Sequence, residues 1–260
     1  MNWKVVLLTL LVGFSGVYDA SAQRRKKKDE PAAETTTTPA TPAATSTPTA
    51  PSLDPYAVQE QVFEQSLKYN DGDVAVQALY NMMALHPQEE TLKDTLAYLY
   101  FNLNRYSSCL FVARDIVDVR PNNLEMVEIK AISEKNLGLL AEAVSSYEKL
   151  YMNTENVYHL YELATLQFQL KRYNEARNSL AMLEKHKDAA TQQVTLSAGQ
   201  RQQSQQVPIL AAVYNLQGVL NQETGNDAEA KAKYQKALEL FPDFALAKGN
   251  LAAMNQPAQK

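Results

Sequence analysis

Residues 214–242 read YNLQGVLNQETGNDAEAKAKYQKALELFP. The stretch divides into two helical halves at Gly225, a residue suited to a turn because it takes positive φ at no steric cost. In the first half, Tyr214 and Gly218 lie one helical turn apart, an aromatic ring beside a residue with no side chain. In the second half, Ala230, Tyr234 and Ala237 recur at helical spacing and make one packing face. Pro242 closes the unit, because proline cannot continue the hydrogen-bond ladder. The pattern predicts a helix, a turn and a second helix.

Working outward, the same punctuation returns. MMALHP ends at Pro87 and IVDVRP ends at Pro121, 34 residues apart. A 34-residue period laid over the chain predicts five helix pairs. Here the sequence resembles the tetratricopeptide-repeat (TPR) family. Tyr214, Gly218, Gly225, Ala230, Tyr234, Ala237 and Pro242 fit its frame, while Asn221 departs from the usual aromatic. A second unit uses Leu160, Leu163, Ala164, Tyr173, Ala176, Leu180 and Leu183 around KRYNEA. Another uses Val127, Ala131, Gly138, Leu140, Ala143, Tyr147 and Leu150. The unit ending at Pro121 uses Leu96, Ala97, Tyr100, Tyr106, Cys109, Ala113 and Ile116, with Cys109 read as a packing residue. The first unit is the weakest, with Val62, Phe63, Ala75, Leu79 and Met82.

The resemblance implies an all-α, TPR-like solenoid of four to five helix pairs over residues 53–260. Such units cannot bury their apolar faces alone, and stacking them creates one continuous core and a concave groove. Phe244–Met254 reads as a single capping helix that covers the end with Phe244, Leu246 and Leu251. The period breaks once. Steps of 34 from Pro121 reach 155, 189 and 223, yet the last unit closes at Pro242, a surplus of 19. The extra residues fall in 187–208. There Val194 and Leu196 alternate with Thr195 and Ser197, and Val207 and Ile209 flank Pro208. This suggests a short β-hairpin insertion, with an irregular loop as the alternative.

The first 22 residues read as a cleavable signal peptide. Lys4 precedes an apolar run, and Ala20-Ser21-Ala22 supplies the small-x-small cleavage pattern, which leaves Gln23 as the new N-terminus. The apolar run is shorter than the roughly 20 residues that span a bilayer. Arg24-Arg25-Lys26-Lys27-Lys28 follows at once and resists translocation. The alternative is therefore a membrane-tethered envelope assembly factor with residues 5–18 retained as an anchor. In either case the basic run can touch anionic headgroups weakly. Residues 23–52 are basic, then rich in Thr, Pro and Ala, with nothing large to bury, and are expected to be a disordered linker. Its composition permits O-glycosylation without establishing it.

Composition narrows the function. The net charge is −4, and from Leu53 onward 19 basic residues face 25 acidic ones. An acidic domain of this kind is a poor nucleic-acid binder. The single cysteine rules out an intrachain disulfide and a CxxC metal site. His86, His159 and His186 are scattered. No phosphate loop, dinucleotide fingerprint, nucleophile elbow or metal motif occurs, so no catalytic, cofactor or metal residues are expected. An enzyme acting on cell-wall material is the weaker rival reading.

What remains is binding. The resemblance points the first helix of each pair into the groove and nominates Tyr98, Phe101 and Asn102, then Glu128, Ile132 and Lys135. It continues with Tyr158, Tyr161, Thr165 and Phe168, and ends on Asn215, Val219 and Gln222. Tyrosine suits such a surface because it offers a large contact area with few rotamers to freeze. Packing between adjacent first helices is the alternative role for these rings. TPR domains that clamp a partner's C-terminal carboxylate use Lys and Asn at two first-helix positions. Those positions here hold Asp94 and Tyr98, Glu128 and Ile132, Tyr161 and Thr165, so that clamp is missing. An acidic, aromatic groove fits a basic or apolar peptide. The expected function is a protein-interaction scaffold in the periplasm or cell envelope.

Overall fold

Each helix pair turns on one left-handed residue. Asn70 (φ 56°), Asn104 (55°) and Gly138 (76°) follow one another at 34-residue intervals, and Lys171 (58°) and Gly225 (78°) hold the same place in the last two pairs. In all five, the next N–H donates to the carbonyl five residues back. The bonds are Asp71 to Ser66, Arg105 to Tyr100, Leu139 to Glu134, Arg172 to Gln167 and Asn226 to Asn221, at 2.8–2.9 Å. This closure satisfies carbonyls that a helix end otherwise leaves without a partner. A left-handed conformation costs an L-residue about 1 kcal/mol. Lys171→Gly is therefore expected to raise stability by about 1 kcal/mol, and Gly138→Ala to lower it by a similar amount. Urea midpoints followed by circular dichroism check both signs.

The computed structural model describes residues 54–198 and 203–255. The signal-peptide reading (1–22) and the linker reading (23–52) lie outside the described residues. The helices are α1 (Pro55–Lys68), α2 (Gly72–Leu85), α3 (Thr91–Asn102), α4 (Tyr106–Val119), α5 (Leu124–Asn136) and α6 (Leu140–Thr154). They continue with α7 (Val157–Gln169), α8 (Tyr173–Lys185), α9 (Ile209–Glu223), α10 (Asp227–Leu240) and α11 (Ala245–Met254). Strands β1 (Gln193–Ala198) and β2 (Gln203–Pro208) lie between α8 and α9. The described residues from Gln59 onward form one compact unit, and the packing described below belongs to it. None of the described helices is long and apolar enough to cross a membrane.

Consecutive helices pack on one another from α2 through α11, α8 on α9 across the insertion included, and first helices also meet, α3 on α5 and α7 on α9. Small residues allow these approaches. Counting repeats from residues 56, 90, 124, 157 and 211, the twentieth position is Ala75, Cys109, Ala143, Ala176 or Ala230, each without exposed surface. The eighth is Ala97, Ala131, Ala164 or Gly218 in the last four repeats, and Phe63 in the first. The 19-residue surplus thus resolves into one residue lost from the third repeat and twenty gained before the fifth. Cys109 is a packing residue, its Sγ 3.4 Å from the Ala97 carbonyl, and burial pushes its thiol up.

Two buried polar bridges repeat with the fold. Ser146 donates to Glu134 Oε2 (2.7 Å) and Ser179 to Gln167 Oε1 (2.8 Å), joining equivalent positions of α5–α6 and α7–α8. Glu134 is 1% exposed and also holds Lys130 Nζ at 2.8 Å and Arg114 at 3.8 Å.

The insertion is a β-hairpin, antiparallel, with Val194 opposite Val207 and Thr195 opposite Gln206. Both valines are buried. Ile209 departs from the expected strand and opens α9. Its N–H donates to Gln192 O and that of Leu210 to Ala189 O, which ties the hairpin base to the helix start. Gln205 anchors the other side, donating to Asp243 O (2.6 Å) and accepting from Ala245 N (3.0 Å). Phe244 is fully buried at the start of the capping helix α11.

Candidate functional site

The first helices of the second, third and fourth repeats are joined by side chains on one face. Tyr98 on α3 donates to Glu125 Oε2 on α5 at 2.7 Å. Glu128 on α5 meets His159 Nε2 on α7 at 3.4 Å, and His159 Nδ1 lies 2.9 Å from Thr154 Oγ1. Lys135 on α5 pairs with Glu162 on α7 at 2.8 Å. At the α3 end, Arg120 binds Asp94 and reaches Glu90 at 3.6 Å. Three nominated residues, Tyr98, Glu128 and Lys135, therefore take part in a stripe of contacts that links the first helices of three successive repeats.

Most of the nominated side chains are partly exposed, as a binding face requires. Tyr98, Phe101, Glu128, Ile132, Lys135, Tyr158, Thr165 and Phe168 are half-buried, and Asn102 and Gln222 are exposed. Phe101 packs edge-on against Tyr106 and Phe168 tilts over Tyr173, each pair within one repeat. Two residues stand apart. Tyr161 is 6% exposed and Asn215 8%, because the turn of α7 presses Tyr161 into the core and α11 covers Asn215. Asn250 of α11 donates to Asn215 Oδ1 at 2.9 Å. Gln222 accepts from the Tyr234 hydroxyl at 3.0 Å, an interaction inside its own repeat.

Sequence reasoning did not nominate Glu125, Glu162 or His159. Glu125 holds the repeat position of Tyr158 and reads as a solvent-facing carboxylate, while His159 and Glu162 lie one residue beyond Tyr158 and Tyr161. Their roles become visible only when the neighbouring helix is in place. The stripe is electronegative. Burial, and then Glu125 with Asp94 and Glu128, pushes the Tyr98 phenol well up. Burial, then Glu162 and Glu128, does the same to Tyr158. No group of three or more metal-ligating side chains occurs among the described residues.

Residues 211–244 match the Tetratricopeptide repeat family, the segment with the Tyr214, Gly218 and Pro242 pattern. The fold is a tetratricopeptide-repeat solenoid. Solved structures similar to this TPR solenoid agree on the architecture. A crystal structure of MamA has a TM-score of 0.55 at 13% identity, covering 78% of this chain and 96% of that one. MamA from Desulfovibrio magneticus RS-1, from residue 41 to its end, gives 0.54 at 12%, over 74% and 97%. YrrB, a TPR protein with an unusual peptide-binding site, gives 0.57 at 13%, over 72% and 87%. At these identities the likeness is one of fold. No curated protein matches the chain in sequence.

Proposed function

We propose that the chain is an exported protein-interaction scaffold, which holds a peptide or protein partner along the first-helix face of its second to fourth repeats. The observation that carries this reading is the stripe of cross-repeat contacts from Tyr98–Glu125 to Lys135–Glu162. It fixes half-exposed aromatic and polar groups on rigid helices, which limits the entropy lost on binding. The likeness to YrrB, a TPR protein with a peptide-binding site, supports the same use of the fold. Export rests on the Met1–Ala22 pattern and locates the scaffold in the periplasm or cell envelope. Binding, rather than turnover, is the chemistry that such a face offers.

The test is partner capture from cell envelopes, with the full chain beside a Tyr98→Ala, Tyr158→Ala variant. Tyr161 is left intact because it belongs to the core. Partners retained by the parent and lost by an equally helical variant are the expected result. Identical partner sets for the two baits would remove the groove from the reading.

A further inference from the structure

The centre of the stripe carries charge that the fold does not answer. Glu125 and Glu128 stand three residues apart on α5, and so share a face. Among the described residues, Glu125 has no cation within ion-pair distance, and Glu128 has only His159 at 3.4 Å. The Glu128 side chain is 41% exposed. The other carboxylates of the stripe are paired, Asp94 with Arg120 and Glu162 with Lys135. Phenol rings flank the unanswered pair, Tyr98 from α3 and Tyr158 from α7, and Tyr158 lies with its ring centre 6.1 Å from that of His159.

A second, independent feature points to the same place. Tyr147 on α6 is fully buried and its hydroxyl has no hydrogen-bond partner among the described residues. Its ring centre lies 6.3 Å from that of His159, the residue that meets Glu128 at 3.4 Å. Its counterpart in the last repeat, Tyr234, is satisfied by Gln222. The residue equivalent to Gln222 in the third repeat is Lys135, which is turned to Glu162 instead. The third repeat therefore keeps an unsatisfied phenol oxygen beside His159, closed to solvent in the free chain, which a donor from the face reaches only when the side chains above it move aside.

We propose that Glu125, Glu128, Tyr98 and Tyr158 form a subsite for a lysine or arginine side chain of the partner, with the Tyr147 oxygen behind it. The proposal rests on the scaffold reading and names the partner's chemistry. Two carboxylates offer charge-assisted hydrogen bonds to a cationic head, and the phenol faces add cation–π attraction. An apolar side chain would leave both carboxylates desolvated without compensation.

The experiment measures anisotropy of fluorescein-labelled Gly/Ser peptides that carry either paired lysines or norleucines, titrated with the full chain. The lysine peptide is expected to bind at least about tenfold more tightly than the norleucine peptide, with an affinity that falls as salt rises. Glu125→Gln with Glu128→Gln is expected to abolish that preference. A control of equal charge change on exposed second-helix positions, Glu142→Gln with Glu229→Gln, is expected to retain it. Tyr147→Phe is expected to weaken the lysine peptide severalfold without lowering stability, and an unchanged Kd there removes the hydroxyl from the subsite. Equal binding of the two peptides, or equal losses in the two charge variants, overturns the subsite. A Glu125→Gln, Glu128→Gln chain that keeps its envelope partners, while Tyr98→Ala, Tyr158→Ala loses them, leaves the scaffold reading standing and the cation subsite refuted.

Discussion

Gly218→Ala is expected to destabilise the last repeat by about 2 kcal/mol, although the same change in an isolated helix would stabilise it by about 1 kcal/mol. The inversion comes from the crossing of α9 and α10. A Cβ at Gly218 would lie 2.4 Å from Tyr234 Cε1, 2.6 Å from Cδ1 and 2.9 Å from Cζ. The ring has no exposed surface and its hydroxyl is held by Gln222, so it can yield only by opening the crossing. Gly249 in α11 is the internal control. An added Cβ there meets nothing within 4 Å, and Gly249→Ala is expected to stabilise by up to about 1 kcal/mol. Urea denaturation followed by circular dichroism reads both. Shortening the ring, as in Tyr234→Leu, should reduce the cost of Gly218→Ala below its value in the parent, a non-additivity that marks direct contact. Gly218→Ala as stable as the parent would mean that the two helices do not meet so closely.

The second large effect concerns the buried carboxylate of α5. Lys130→Met is expected to cost about 3 kcal/mol, because it leaves Glu134 in the core with only Arg114 at 3.8 Å and the Ser146 hydroxyl. Glu134 Oε1 has no aligned hydrogen bond and depends on the Lys130 ammonium at 2.8 Å as an ion contact. Adding Glu134→Met should recover most of the loss, since breaking a buried pair is far more costly than replacing it with well-packed apolar groups. A double-mutant cycle measures this coupling. Independent, additive losses at the two positions would show that the pair does not share one energy.

The repeat pattern was readable because its causes are local. Turn residues, closing prolines and the small residues at equivalent positions each impose a conformation or a close approach on their own segment. Phe63 and Lys171 blur the pattern, since a large ring replaces a small residue in one repeat and a strained lysine replaces asparagine or glycine in another. Tyr98 and Tyr158 were likewise legible from the repeat frame as first-helix residues with part of the ring left open. Tyr161 and Asn215 were not separable from them, because their burial depends on the packing of α7 and on the cover supplied by α11.

Periodicity and turn chemistry act within about one repeat, so the all-α solenoid of four to five helix pairs, the place of the insertion and the capping helix could be read from the chain alone. Which carboxylates are answered depends on how the repeats stack. Arg120 to Asp94 and Lys135 to Glu162 join residues 26 and 27 positions apart, distances along the chain at which no local pattern carries information. The charge left over at Glu125 and Glu128, and the unpaired hydroxyl of Tyr147, emerge only when neighbouring repeats are stacked and each partner has been assigned.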